Sequence, residues 1–231
     1  MSVKRVVIIG ATSGIGLEVA KGYLKAGWQV GIAGRREEEL EKLRRTAPGQ
    51  VCAQVLDVTH EDAPYLLKQL IDELGGMDLF LLSSGIGKQN LSLTPDIELQ
   101  TAATNVEGFI RMVTAAYHYF EQQGHGHLAV ISSIAGTKGL GSSYIEALDQ
   151  LAHINRLPIV FTDIRPGFVA TPLLKDDKYP LLMNVSAVAA HIINALNKKK
   201  RTVIIDRRYQ VLVFFWRLIP KWLWVKLPVK N

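Results

Sequence analysis

Short apolar runs alternate with longer amphipathic stretches along the whole chain. The runs are Arg5–Ile9, Gln29–Ala33, Val51–Leu56, Asp78–Leu82, His127–Ser132, Ile159–Ile164 and Thr202–Ile205. They are apolar at successive positions, the pattern of strands covered on both faces. Between them, apolar residues recur at helical spacing over Ile15–Ala26, Glu37–Thr46, Glu61–Leu74, Asp96–Glu121, Ser143–Asn155 and Ser186–Asn197. A β, α, β, α order with doubly covered strands predicts an α/β fold: a doubly wound parallel sheet whose ligands bind beyond the C-terminal ends of the strands. No linker or internal repeat divides it. A single domain over residues 1–208 is therefore expected, followed by an aromatic, basic tail over 209–231.

Composition narrows the function. With 231 residues, 48% of them hydrophobic and 21% charged, the chain can bury one sizeable core, which excludes a disordered tail or a disulfide-stapled miniprotein. A lone cysteine, Cys52, allows no internal disulfide, and no Cys/His cluster has zinc spacing, so no metal is expected and a reducing cytoplasm fits best. The start, with only Val6 to Ile9 apolar before a glycine-rich turn, reads as neither a signal peptide nor a membrane span. The net charge of +6 is dispersed except for Lys198–Arg201, read as a solvated helix end, and the tail, so no nucleic-acid partner is inferred.

Candidate chemistry begins after the first strand, at Gly10-Ala11-Thr12-Ser13-Gly14-Ile15-Gly16. Glycines at a strand-to-helix turn let backbone N–H groups approach a pyrophosphate, and the helix N-terminus adds partial positive charge. The second strand ends in Gly34-Arg35-Arg36. An acidic side chain there would bind a ribose 2′-hydroxyl, whereas arginine accommodates a 2′-phosphate, so NADP is favoured over NAD.

The G-x3-G-x-G spacing resembles that of the short-chain dehydrogenase/reductase family, and further pieces follow in the family's order over nearly the whole chain. Leu56-Asp57-Val58 resembles its Asp-Val pair, whose carboxylate binds adenine. Leu82-Ser83-Ser84-Gly85 stands where the family has Asn-Asn-Ala-Gly, only the glycine being kept. Thr104-Asn105-Val106-Glu107-Gly108 resembles the segment whose asparagine completes the catalytic tetrad, and Ile131-Ser132-Ser133 ends the fifth strand where the catalytic serine sits, Ser133 matching it. Pro166, Gly167, Val169 and Thr171, within Arg165–Pro172, resemble the nicotinamide-side turn. The resemblance implies a Rossmann-type fold, a homo-oligomer, and an NADP-dependent oxidoreductase interconverting a carbonyl and an alcohol on a small or hydrophobic substrate. In the family a tyrosine exchanges a proton with the substrate oxygen while hydride moves to or from nicotinamide, and a lysine favours the phenolate.

That Tyr-x3-Lys pair is absent. Tyr144 lies 11 residues beyond Ser133, but four residues on stands Leu148, so Tyr144 reads as an aromatic on the apolar side of a helix. Two readings stay open. In the favoured one, a segment bearing Tyr and Lys is omitted between Gly141 and Tyr144, and the chain should show a break there. In the other, the chain lacks the pair and is an inactive NADP-binding sensor or scaffold, with the loop residue Lys138 the nearest cation. The tail holds three of the four tryptophans beside Arg217, Lys221 and Lys226. It suits burial against the substrate pocket or another subunit, or peripheral contact with a membrane surface, while Arg217, Pro220 and Lys221 interrupt any transmembrane run.

Overall fold

The computed structural model describes residues 3–87, 90, 92–134, 140–174 and 179–218. Strands and helices alternate: β1 (Arg5–Ile9), α1 (Gly14–Lys25), β2 (Gln29–Gly34), α2 (Glu37–Thr46), β3 (Val51–Val55), α3 (Ala63–Leu74) and β4 (Leu79–Leu82). Then come α4 (Pro95–Ala102), a π-helical turn (Ala103–Gly108), α5 (Phe109–Gln123), β5 (Gly126–Ile131), α6 (Leu140–Ile154), β6 (Ile159–Arg165), α7 (Val185–Asn197), β7 (Thr202–Ile204) and α8 (Arg207–Leu218). All strand pairs are parallel, in the order β3-β2-β1-β4-β5-β6-β7. Chain order reverses between β1 and β4, the switch point where doubly wound sheets open a crevice for ligands.

The two-residue period of the strands divides the core. Val6 and Ile8 of β1, Val30 and Ile32 of β2 and Leu79 and Leu81 of β4 bury one face beneath Val19 and Tyr23 of α1 and Ile192 of α7. Val7, Ile9, Phe80 and Leu82 bury the other beneath Leu67 and Leu70 of α3 and Met112, Val113 and Phe120 of α5. Each such side chain contributes roughly 1.5–3 kcal/mol by leaving water. The doubly wound parallel sheet is thus confirmed.

Two expectations need correction. The single helix expected over Asp96–Glu121 is broken by the π-helical turn: a Cβ on Gly108 would lie 2.6 Å from a Val58 methyl, so the helix passes very close to the segment after β3. Second, the expected break between Gly141 and Tyr144 is not there. Helix α6 runs through that point without interruption, because Ile145, Leu148 and Ala152 share one buried side against the sheet. The segment after β7 reaches the core, since α8 plants Tyr209 and Val213, both 2% exposed, in the layer containing α1 and α7.

At the opposite edge from the crevice, His127 of β5 is buried, its Nε2 2.8 Å from Thr162 Oγ1. The threonine hydroxyl donates to Lys200 O, so the imidazole must be the donor in the first bond. Burial, helped by Lys199, lowers its pKa to about 4. The unfolded chain therefore takes up the proton first on acidification, and stability is lost as pH falls from about 6.5 toward 4. Urea unfolding should show wild-type protein losing about 2 kcal/mol more than His127→Gln between pH 7 and pH 5. An equal loss in both would contradict a neutral buried imidazole.

Candidate cofactor and active site

The turn between β1 and α1 is shaped by close approach. Gly10 has φ +88°, and a Cβ there would stand 2.6 Å from Ser84 N; one on Gly16 would stand 2.3 Å from Gly10 O. Neither position admits a side chain, so the backbone of the turn faces outward at the switch point. Gly10 N and Ala11 N both donate to Ala33 O, tying the turn to β2, and Ser83 N donates to Ile9 O, tying it to β4. Ile15 packs on the core below.

Ser13 is the N-cap of α1 but makes no capping bond, and the first turn carries no acidic residue. Its hydroxyl instead accepts from Arg36 Nη2 at 2.6 Å. The helix start therefore presents N–H groups and dipole charge to an anion, above a cradle that any Cβ would fill. These residues fit a dinucleotide pyrophosphate.

The neighbouring strand ends fit the rest of such a molecule. Arg36 lies across the turn, donating through Nη2 (2.7 Å) and Nε (3.1 Å) to Thr12 Oγ1 as well as to Ser13. Arg35, exposed, approaches Asp57 Oδ2 at 3.7 Å. Burial of Asp57 opposes ionisation, but the Thr59 N–H and hydroxyl on Oδ1, with Arg35, outweigh it and hold the carboxyl below its usual range. Two guanidinium groups and one carboxylate thus meet at the C-terminal ends of β1, β2 and β3. Val58 turns inward against Gly108, its carbonyl accepting from Arg111 Nη1 at 2.8 Å.

At the other half of the crevice, β5 ends in the two serines. The Ser132 hydroxyl donates to Asp163 Oδ1 at 2.5 Å, and Arg165 Nε reaches Asp163 Oδ2 at 2.7 Å. Asp163 and Arg165 are both buried, and Arg165 Nη2 extends to Glu146 of α6 at 3.7 Å. Ser132 is therefore spent on an ion pair, and Ser133 is half-buried at the next position. Sequence reading missed this pair, although an Asp and an Arg two residues apart on an apolar strand must share a face. Asn105 brackets one residue of the loop after β4: its Oδ1 accepts from Ile86 N at 2.9 Å and its Nδ2 donates to Ile86 O at 2.7 Å. Gly85 lies beside it, a Cβ there falling 3.6 Å from Asn105 Oδ1.

The turn after β6 completes the arrangement. Pro166 O accepts from Ile134 N, Val169 bridges Met183, and a Cβ on Gly14 would lie 3.3 Å from the Thr171 methyl, so this turn abuts the phosphate cradle. Tyr209 covers Gly167 with its ring, and its hydroxyl accepts from Phe168 N while meeting the carbonyls of Pro180 and Leu181. Tyr144 stands edge-on to Phe109 with its hydroxyl 3.0 Å from that of Thr114. The loop residue Lys138 lies outside the described residues. Among the described residues no cluster could hold a metal ion, and burial pushes the Cys52 thiol up to about 11, unsuited to thiolate chemistry.

A family model described as short chain dehydrogenase matches residues 4–179. The chain belongs to the short-chain dehydrogenase/reductase family of oxidoreductases, with its Rossmann-type nucleotide-binding fold. An uncharacterised oxidoreductase of Mycobacterium tuberculosis is 26% identical, the match covering 97% of this chain and 94% of that protein. The alignment spans 247 positions against 231 residues here, so that relative carries residues this chain lacks. A 3-ketoacyl-(acyl-carrier-protein) reductase from Brucella melitensis complexed with NADH superposes with TM-score 0.78 at 20% identity, over 88% of this chain and 96% of that one. An alcohol dehydrogenase from Thermococcus sibiricus complexed with 5-hydroxy-NADP gives 0.76 at 20% identity, over 90% and 98%. At such identities the likeness is one of fold.

The cradle makes a direct prediction. Gly16→Ala must push the Gly10 carbonyl aside, which should weaken binding of a nicotinamide dinucleotide, read by its fluorescence, by about ten- to a hundredfold. Unchanged affinity would mean that the turn does not hold the pyrophosphate.

Proposed function

We propose that the protein is an NADP(H)-dependent oxidoreductase that interconverts a carbonyl and an alcohol on a small or hydrophobic substrate. The observation that carries the cofactor preference is Arg36 laid over Thr12 and Ser13, with Arg35 beside Asp57. Fixed cations at the end of β2 suit a 2′-phosphate and leave no acidic side chain there for a bare ribose hydroxyl. When bound, the cofactor supplies or accepts the hydride.

The chain's own residues then bind and orient. The α1 N-terminus takes the pyrophosphate, Asp57 the adenine, and the turn Pro166–Thr171 the nicotinamide side. Ser133 donates a hydrogen bond to the substrate oxygen, and Asn105 acts through the loop it holds at Ile86. An apolar substrate is favoured by Leu173, half-exposed beside Gly87 where the loops after β4 and β6 meet, and by the Phe168–Tyr179 ring pair. We place the protein in the cytoplasm as a homo-oligomer, in keeping with its family and its single cysteine.

A second reading, an inactive NADP-binding sensor or scaffold, is favoured by one observation. No tyrosine in the chain is followed by lysine four residues on, and Tyr144 is committed to Thr114 and Phe109. The group that exchanges the substrate's proton is then not a Tyr-Lys pair of this chain.

Titration with both cofactors should show NADP(H) bound about ten- to a hundredfold more tightly than NAD(H), the gain from a charge-assisted hydrogen-bonded pair. Arg35→Ala should weaken NADP(H) more than NAD(H), and equal or tighter NAD(H) binding contradicts the preference. A panel of carbonyl compounds screened against NADPH oxidation decides between the readings. Turnover that Ser133→Ala cuts by about a hundredfold, at unchanged cofactor affinity, supports the enzyme. Tight binding without turnover supports the sensor, and turnover undiminished by Ser133→Ala removes that serine from the mechanism.

A further inference from the structure

Helix α8 has two unlike sides. Tyr209 and Val213, four residues apart, are buried in the core, and the Tyr209 hydroxyl fastens the helix to the loop after β6. On the other side Val211, Leu212, Phe214 and Phe215 are exposed, the two phenylalanines each by 62%. The outer side of a helix docked on a domain is normally polar, because nothing else removes it from water.

Charge is segregated in the same part of the sequence. Residues 207–231 hold six Lys or Arg and no Asp or Glu. The chain has 27 basic and 21 acidic residues, so the other 206 residues balance at 21 of each and the whole net charge of +6 lies in this segment. Three of the four tryptophans, Trp216, Trp222 and Trp224, fall there too. Of the basic side chains, Arg208 is partly neutralised by Asp206 at 2.5 Å, while Arg207 is exposed. Among the described residues no helix is long and apolar enough to cross a membrane.

We propose that the outer side of α8 is a docking surface for an anionic phospholipid bilayer, with Phe214 and Phe215 entering the interface and the excess of basic residues in this part of the sequence drawing it to the headgroups. Aromatic and aliphatic side chains flanked by cations lie in the plane of such an interface, and each basic residue close to an anionic surface strengthens partition by about fivefold. A second copy of the chain is the poorer occupant, since it would bring one concentrated positive segment against another. A lipid surface is the one partner that takes both the apolar side chains and the unbalanced charge. The docked helix also contacts the turn Gly167–Phe168, so the bilayer would lie next to the substrate side of the crevice. The proposal stands on the helix and its charge, whichever of the two readings of activity holds.

Flotation of the full chain with phosphatidylcholine vesicles, with and without about a third phosphatidylglycerol, tests it. Partition should be about tenfold or more stronger on the anionic vesicles and fall in high salt. The double variant Phe214→Ser, Phe215→Ser should lose about tenfold in partition while keeping its thermal midpoint and its dinucleotide affinity. Equal partition to both vesicles, or a double variant that partitions like wild type, overturns the proposal. So does a dimer in light scattering that the double variant splits, with no partition to either vesicle.

Discussion

The fit of the first turn into the sheet is the constraint on which the site depends. Where the β1–β4 ladder ends, Ser83 N donates to Ile9 O, and the backbone at Gly10 lies so near Ser84 that no side chain could stand between them. That contact closes the floor of the crevice at the point where strand order reverses. It also aims the start of α1 outward, and Arg36 can bridge Thr12 and Ser13 only because the same turn is pinned to Ala33 at the end of β2. The cofactor half of the molecule is in this sense a consequence of one backbone approach, repeated at smaller scale where Gly108 passes Val58 and Gly14 meets Thr171.

The opposite half is organised by charge. Asp163 and Arg165, side by side on β6, satisfy each other in a nearly water-free place and draw in Ser132 from β5 and Glu146 from α6. A buried pair of this kind is costly to form and costlier to break, since removing one partner strands the other's charge. It fixes the ends of β5 and β6 relative to one another, which sets where Ser133 and the turn Pro166–Gly167 begin.

The strands were legible because apolar runs on both faces have few alternatives, and β1 falls on Arg5–Ile9 as the pattern predicts. Helix ends and breaks were less so. The π-helical turn at Ala103–Gly108 arises from a contact with Val58, 50 residues away in the chain, that no local period contains. The glycine turn, Arg35, Arg36 and Asp57 could be placed because each follows a strand at the same edge. The roles of Arg36 as a bridge and of Tyr209 as a clamp on Phe168, Pro180 and Leu181 could not, since both are tertiary contacts. The expected break before Tyr144 is absent: α6 runs unbroken over Leu140–Ile154, with Ile145, Leu148 and Ala152 on one buried side.

The proposed NADP preference requires that the ends of β1, β2 and β3 hold an adenosine carrying a 2′-phosphate. Calorimetric titration with two fragments, adenosine 2′,5′-bisphosphate and adenosine 5′-monophosphate, tests this without the nicotinamide or any substrate. The bisphosphate should bind about ten- to a hundredfold more tightly, and the difference should shrink in Arg36→Ala. Equal affinity of the two fragments in the wild-type protein would contradict the account.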